Sequence, residues 1–301
     1  MKLGKSKRVG TLKGNDMFWG YLFIAPMLIG LLVFYIFPVF QTFYYSFNDW
    51  GAFGNYSWTG LDNYREILKD PAVLYSFRNT FLYAVAMVPL SIAVSIIAAV
   101  LLNQKIKGLT VYRTLYFLPV VTMPAAIGMI WKWLYNSDYG VINHVLNWFS
   151  IAGPHWLTDS NWVLISVIVV GVWSVIGTNM VILLSGLQGI PKTLYEAASL
   201  DGAGPIYTFF RVTLPMLSPT IFFVTVTTSI GAFQVFDFIF MMVSPTNPAI
   251  DSVQSVIYLF FQYAFVVGDK GIGAAMAFIL FIIVLILTIF QFKLQKKWVN
   301  Y

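Results

Sequence analysis

Residues able to do chemistry are scarce in this 301-residue chain, and they gather in one place. The stretch IPKTLYEAASLDGAGPIYTFFRVTLP, residues 190–215, carries Lys192, Glu196, Asp201 and Arg211 between two long apolar runs. A membrane enzyme is not expected of the chain, which offers no paired intramembrane acids, no plausible metal cluster and no nucleophile with a nearby base. These four residues suit contact with water or with another surface. Thr193 and Glu196 have the T-x-x-E spacing of a capping box, which predicts a helix over Leu194–Leu200. Asp201-Gly202 ends it, since glycine accepts the left-handed backbone of a helix terminus. Gly204-Pro205 opens the next element, proline being suited to a first helical turn, and Pro215 then stands at the entrance of the following apolar run. Two turns of helix are marginal alone in water, so neighbours or a partner must hold them. The small Ala197 and Ala198 let another surface come close. From these residues alone, an ordinary loop helix explains the pattern as well as a docking helix does.

A second set of polar residues lies inside the apolar runs. Asp237 is the one acid deep in such a run, and Gln234, three positions earlier, is expected on the same helical face. Asn179 with Trp173 and Thr178 predicts a polar and aromatic patch. Polar groups in a membrane are costly and mark function; here they either hydrogen-bond a solute or pair two helices. His144 and His155 share one polar loop, too few ligands for a metal site. The chain has no cysteine, so neither disulfides nor thiolate metal sites are expected.

The elements that must position these groups are membrane helices. The chain is 59% hydrophobic and only 10% charged, against about 25% charged in soluble domains. Six apolar runs stand out: Phe18–Phe40, Phe81–Leu102, Leu115–Leu134, Trp162–Leu184, Met216–Val243 and Ile272–Phe292. Each is long enough to cross ~30 Å of hydrocarbon as a helix. The fold class expected is therefore all-α, polytopic, one domain over 1–301 with a short basic tail at 1–16. The first run is too long for a signal peptide and lacks a clear cleavage site, so it is expected to be retained.

Orientation follows from lysine and arginine. Six spans place Lys2, Lys5, Lys7, Arg8, Lys13, Lys105, Lys107, Arg113, Lys192, Arg211, Lys293, Lys296 and Lys297 on one side, thirteen of the 18 basic residues. Arg65, Lys69, Arg78, Lys132 and Lys270 fall on the other. Both termini and the Glu196–Gly202 stretch are thereby expected in the cytoplasm. The outer loops run from Asn48 to Asn79 and from Asn136 to Asn161, with tryptophans and tyrosines suited to an interfacial belt. Within the second, VINHVLNWF (Val141–Phe149) predicts a short surface helix. Ser91, Ser95 and Ala99 form a small-residue stripe for helix packing.

The 190–215 stretch resembles the EAA motif of the permease subunits of binding-protein-dependent ABC importers. That motif reads E-A-A, three residues, G, nine residues, I, one residue, L-P. Here it is Glu196, Ala197, Ala198, Gly202, Val212, Leu214 and Pro215, with Val212 the one departure. LDGAG, with Asp201 and Ala203, extends it in the manner of sugar permeases. FIAPMLIGLLVFYIFPVFQTFYYSF, GLDNY, FRNTF, LYFLPVVTMPAAIGMIWKWLY and FQVFDFIFMM resemble further segments of the carbohydrate branch, so the likeness covers most of the chain. SPTNP, Ser244–Pro248, stands where many relatives have a glycine-rich turn.

The resemblance implies a coupling helix that docks on an ATP-hydrolysing subunit, and a sugar or oligosaccharide moved by alternating access. It also implies a second and different permease, cytoplasmic ATP-binding subunits, and a solute-binding protein outside a bacterial or archaeal cell membrane. Nucleic acid is not among the partners expected. Gly4-Lys5-Ser6 matches only the end of a phosphate-binding loop, so no cofactor is expected on this chain and ATP with Mg belongs to the partner. An ion-coupled secondary carrier is the alternative, with Asp237 as its thin basis; a membrane enzyme has no candidate catalytic residues.

Overall fold

A computed structural model of the chain describes residues 14–50, 56–104 and 107–299. Lys2, Lys5, Lys7, Arg8, Lys13, Lys105 and the Gly4-Lys5-Ser6 stretch lie outside the described residues. Among the described residues the regular structure is helical apart from one pair of short strands. Five helices among the described residues are long and apolar enough to span a membrane: Met17–Tyr45, Pro71–Leu102, Val163–Gln188, Pro205–Phe233 and Lys270–Trp298. A bent pair, Leu109–Val121 with Pro124–Leu134, makes the sixth if counted as one span.

The first span joins α1 (Gly14–Leu31) to α2 (Phe37–Tyr45) through one wide turn, Leu32–Ile36. It is followed by β1 (Asn48–Trp50) paired antiparallel with β2 (Tyr56–Trp58), then α3 (Asp62–Lys69) and α4 (Pro71–Leu102). The expected outer loop from Asn48 to Asn79 is thus mostly ordered structure. Asn63 fastens it by donating to the carbonyls of Ser46 (3.0 Å) and Asn48 (2.9 Å). Asp70 caps α4 by accepting from Ala72 N–H at 2.8 Å, with Pro71 in the first turn. The span therefore begins ten residues before its apolar run.

The third run, Leu115–Leu134, is not one straight helix. α5 (Leu109–Val121) and α6 (Pro124–Leu134) meet at 103°. Pro124 is the local cause, because the residue before a proline avoids the helical region, and Met123 is extended at φ −59°, ψ 132°. Alone, α5 reaches only about 20 Å at 1.5 Å per residue. Beyond it lie α7 (Val141–Trp148), the surface helix expected from the sequence, and α8 (Val163–Gln188).

Next come α9 (Lys192–Leu200), α10 (Pro205–Thr208), α11 (Leu214–Phe233) and α12 (Asp237–Met242). The fifth run, expected over Met216–Val243, is displaced at both ends. Its helix starts at Pro205 and passes straight through Pro215. The wide turn Phe209–Thr213, where Leu214 N–H reaches back to Phe209 O, lies just before Pro215, which has no N–H to return to Arg211 O. The helix then stops at Phe233. The chain closes with α13 (Val256–Phe261), which runs on through Val267, and α14 (Lys270–Trp298).

The centre of the bundle is α8 packed on α4, α5 and α11. Small residues make this possible, since helices in lipid associate by close packing rather than by a hydrophobic drive. Ser91, Ser95 and Ala99 are fully buried on α4. At Gly177 of α8 a Cβ would strike the carbonyl of Tyr116 on α5. At the end of the bundle opposite α9, Asn79 donates to the carbonyls of Asp251 (2.9 Å) and Gln254 (3.3 Å), and Thr80 accepts from Val256 N–H (3.0 Å).

Candidate functional site

The sequence-predicted groups fall into two sites at different depths. The first is α9 and the turn after it. Its N-terminus corrects the capping-box expectation. Pro191, extended at φ −59°, ψ 131°, precedes the helix without any side-chain cap. Helix geometry begins at Lys192, so Thr193 lies inside the first turn and Glu196 is the fifth residue. Neither is placed to cap a free N–H.

The C-terminus is as expected. Gly202 is left-handed at φ 74°. Its N–H donates to Ser199 O (3.1 Å), and Ala203 N–H donates to Ala198 O (2.9 Å). These two bonds form a Schellman closure. Gly204 is extended and Pro205 opens α10.

No residue of α9 is buried in this chain. Glu196, Ala197, Asp201 and Gly202 are exposed, while Ala198 and Ala203 are half-buried. Beside them stand apolar side chains whose exposure the sequence did not announce: Leu200 at 90% and Ile206 at 77%. One side-chain bond ties α9 to the bundle, Tyr195 hydroxyl to Thr213 hydroxyl at 3.3 Å. A groove of about 670 Å³ runs past Ala197, Ala198, Asp201, Gly202, Tyr207 and Arg211. Leu214 and Pro215 are not on this surface; they lie half-buried in the long helix above it.

The second site is a cavity of about 310 Å³ among α4, α8, α11 and the start of α12. Four predicted residues meet there: Thr178, Asn179, Gln234 and Asp237. They do not meet as expected. Gln234 caps the end of α11 and Phe236 (φ −142°, ψ −57°) interrupts the helix, so Asp237 is the first residue of α12. A break, and not a shared helical face, brings Gln234 and Asp237 together. Asn179 is buried and committed to α11, its amide donating to the Thr228 hydroxyl at 3.1 Å.

Trp173 is absent from this lining. Five residues from Thr178, it points about 140° away around the helix and meets Trp131 of α6 edge-on at 5.6 Å. It lines a separate groove with Tyr112, Tyr116 and Pro119. The cavity adds Tyr83, Ser174, Thr227, Phe236 and Phe238, which sequence reading had not gathered. No lysine, arginine or histidine lines it among the described residues, and Asp237 has no ion-pair partner among them.

A bundle of this kind, with a projecting helix at one end and a polar cavity within the spans, defines a polytopic membrane transport subunit. Residues 77–300 match the binding-protein-dependent transport system inner membrane component family, and the chain belongs to it. It is 35% identical over 290 residues to the probable ABC transporter permease protein YesP of Bacillus subtilis (strain 168), covering 95% of this chain and 93% of that one. It is 32% identical over 283 residues to the sn-glycerol-3-phosphate transport system permease protein UgpA of Pectobacterium atrosepticum, at 93% and 95% coverage. The multiple sugar-binding transport system permease protein MsmF of Streptococcus mutans is 34% identical over 286 residues, at 94% and 97%. A bacterial ABC transporter involved in the import of the acidic polysaccharide alginate shares the fold, with a TM-score of 0.83 and 19% identity over 94% of this chain and 96% of that one.

The chain is therefore a multi-pass permease subunit of an ATP-driven importer. It is a transport subunit and not an enzyme; ATP hydrolysis belongs to a separate subunit. A permease of this class works with a second permease, the ATPase and a solute-binding protein. The ion-coupled carrier is not favoured.

Proposed function

We propose that this chain, as a single domain, forms one wall of the path for a neutral sugar or oligosaccharide. The observation that carries this reading is the composition of the cavity at the α11–α12 break. Hydroxyls, two amides, one carboxylate and aromatic rings line it, and among the described residues no cationic side chain does. Hydroxyl-rich solutes are held by such groups. An anion would meet Asp237 without compensation, which weighs against the phosphate ester in the name of UgpA. Thr178, Gln234 and Asp237 are the contacts proposed for the solute. Asn179 acts as a clamp between α8 and α11, and Trp173 as packing against α6.

Gln234 and Asp237 are exposed in this chain by itself. That supports a second, different permease supplying the opposite wall. On the other end of the bundle, α9 with Glu196, Ala197, Ala198, Asp201, Gly202 and Ala203 is proposed to dock on the ATPase, which holds ATP and Mg. Leu214 and Pro215 transmit its movement into the long helix. Closure of the ATPase pair would then rock the permeases between two openings. The surplus of basic residues near α9 supports a cytoplasmic position for it and for both termini. A cysteine at Gly202 should resist an impermeant thiol reagent in intact cells, and one at Asp62 should react.

The test of the solute class is uptake into vesicles holding the whole importer. Labelled neutral saccharides and glycerol 3-phosphate are compared, with Asp237→Asn alongside. Saccharide uptake that falls in the variant while the complex stays assembled is the expected result. Uptake of glycerol 3-phosphate and of no saccharide would overturn it.

A further inference from the structure

The cavity and the docking helix leave one built feature unexplained, the outer helix α7. At 100° per residue, Val141, Val145 and Trp148 fall within about 60° of arc on one side, while Ile142, Asn143 and Leu146 turn inward. Val141, Val145 and Trp148 are exposed, as are Tyr139, Phe149 and Ile151 around them; Trp148 stands 72% and Phe149 71% open.

The helix is held firmly in this pose. Asn143 is buried and donates toward Ser137 O (3.2 Å) and Pro154 O (3.4 Å), while its carbonyl oxygen accepts from Trp156 Nε1 at 2.6 Å. Behind it an aromatic row links Trp131, Tyr135, Trp156 and Trp162, with neighbouring rings 5.3–5.4 Å apart. Hydrophobic side chains are thus fixed outward, where a surface facing water would bury them or replace them with polar residues.

We infer that α7 is a membrane-surface anchor whose outward stripe lies in the headgroup region of the bilayer, on the face opposite α9. Position supports this. α3 leads into α4 and α7 into α8. These two spans run parallel, with Tyr83 packed at Gly171 and, further along, Val100 and Leu187 on one cavity. So α3 and α7 share one end of the bundle and α9 the other.

Charge separates the two outer helices. α3 carries Asp62, Arg65, Glu66 and Lys69 in eight residues, whereas α7, also of eight, carries no Asp, Glu, Lys or Arg. The first composition suits water and a soluble partner; the second, with Trp148 outward and Tyr139 beside it, suits the lipid interface, where tryptophan and tyrosine concentrate. Continuity supports it too. α6 packs on α7 and presents Met129, Ile130 and Trp133 outward, across the membrane-spanning direction of α5.

The chain has no cysteine, so an introduced one is unique to it. The importer, purified through a tag on this chain, is placed in nanodiscs of phosphatidylethanolamine and phosphatidylglycerol. A nitroxide is attached at Val145→Cys, Trp148→Cys or, as the reference, Glu66→Cys. The unsubstituted complex gives the background. Collision with dissolved oxygen should exceed collision with a water-soluble nickel chelate at 145 and 148, and the order should reverse at 66. Val145→Cys preserves the measurement if loss of Trp148 prevents assembly. A nickel preference at 145 and 148 would overturn the anchor. So would protection from both reagents, which would put the second permease over α7. Immobilisation of the label only when the binding protein is added would assign the surface to that protein instead.

Discussion

α7 and α9 are short helices at opposite ends of α8, of eight and nine residues, and both close with the same pair of bonds. In α9 they run from Gly202 and Ala203; in α7 Ser150 N–H donates to Asn147 O (3.0 Å) and Ile151 N–H to Leu146 O (3.1 Å). The residue in the left-handed position differs: glycine at φ 74° in one, serine at φ 57° in the other. Their attachment differs more. α7 is fastened through buried Asn143, whereas α9 has no fully buried residue and rests on the bundle through half-buried Tyr195, whose hydroxyl meets that of Thr213. Helices this short do not stand alone in water. α7 is therefore held by its own chain, and the looser hold on α9 fits the proposal that a partner completes it. A rigid helix offers a fixed surface. A weakly held helix can follow the movement of whatever grips it.

The largest effect should come from stiffening or breaking the closure of α9. Gly202→Val forces a β-branched residue into the left-handed region at a cost of about 1–3 kcal/mol. No atom lies within 4 Å of the added Cβ, so the cost is conformational and local. Membrane levels should stay near normal while transport and binding-protein-stimulated ATP hydrolysis in reconstituted vesicles are lost. Full stimulation would mean that α9 needs no defined end.

A smaller effect is expected on the other side of the comparison. Asn143→Ala removes the acceptor of the half-buried Trp156 indole N–H and should loosen the outer loop by about 1 kcal/mol. Faster hydrogen exchange over residues 137–156 is the readout, with ATP hydrolysis still coupled. Unchanged exchange would show that Asn143 is not what holds α7.

Ser150→Gly should act in the opposite sense. It relieves a left-handed serine at roughly 1 kcal/mol, partly offset by the greater freedom of glycine in the unfolded chain. A modest rise in melting temperature checks it. A fall would mean that the serine side chain itself stabilises the turn.

The smallest change belongs to Thr193→Ala. With no cap bond to lose, stability should move by less than about 0.5 kcal/mol, where a working cap would cost about 1. A thermal melt separates the two, and a full cap-sized loss would restore the capping box.

Much of the 190–215 segment was legible because its signals are local. Glycine at 202 and proline at 205 act within one turn, and the turn forms as they dictate. Thr193 misled for the same kind of reason: its spacing was right, but Pro191 had already set where the helix begins. The cavity was half legible. Thr178, Asn179, Gln234 and Asp237 do converge, but Trp173, adjacent in sequence to its supposed patch, faces another helix. Tyr83 and Thr227 carry no local mark; they become cavity residues only because α4 and α11 pack beside α8.

By itself the sequence determined the membrane class, the number of apolar runs, the charge asymmetry and the left-handed end of α9. Each of these rests on transfer free energy or on the backbone freedom of single residues, which act without reference to distant parts of the chain. Tertiary structure decided how far the chain turns at Pro124, 103° between α5 and α6, and it alone decided the break after Phe233, the passage of a helix through Pro215 and the side on which each tryptophan lies. In these places several conformations satisfy the local rules. The choice among them falls to which groups must fit against one another, as where the side chain of Met241 on α12, beyond the break, fills the space a Cβ on Gly128 of α6 would need.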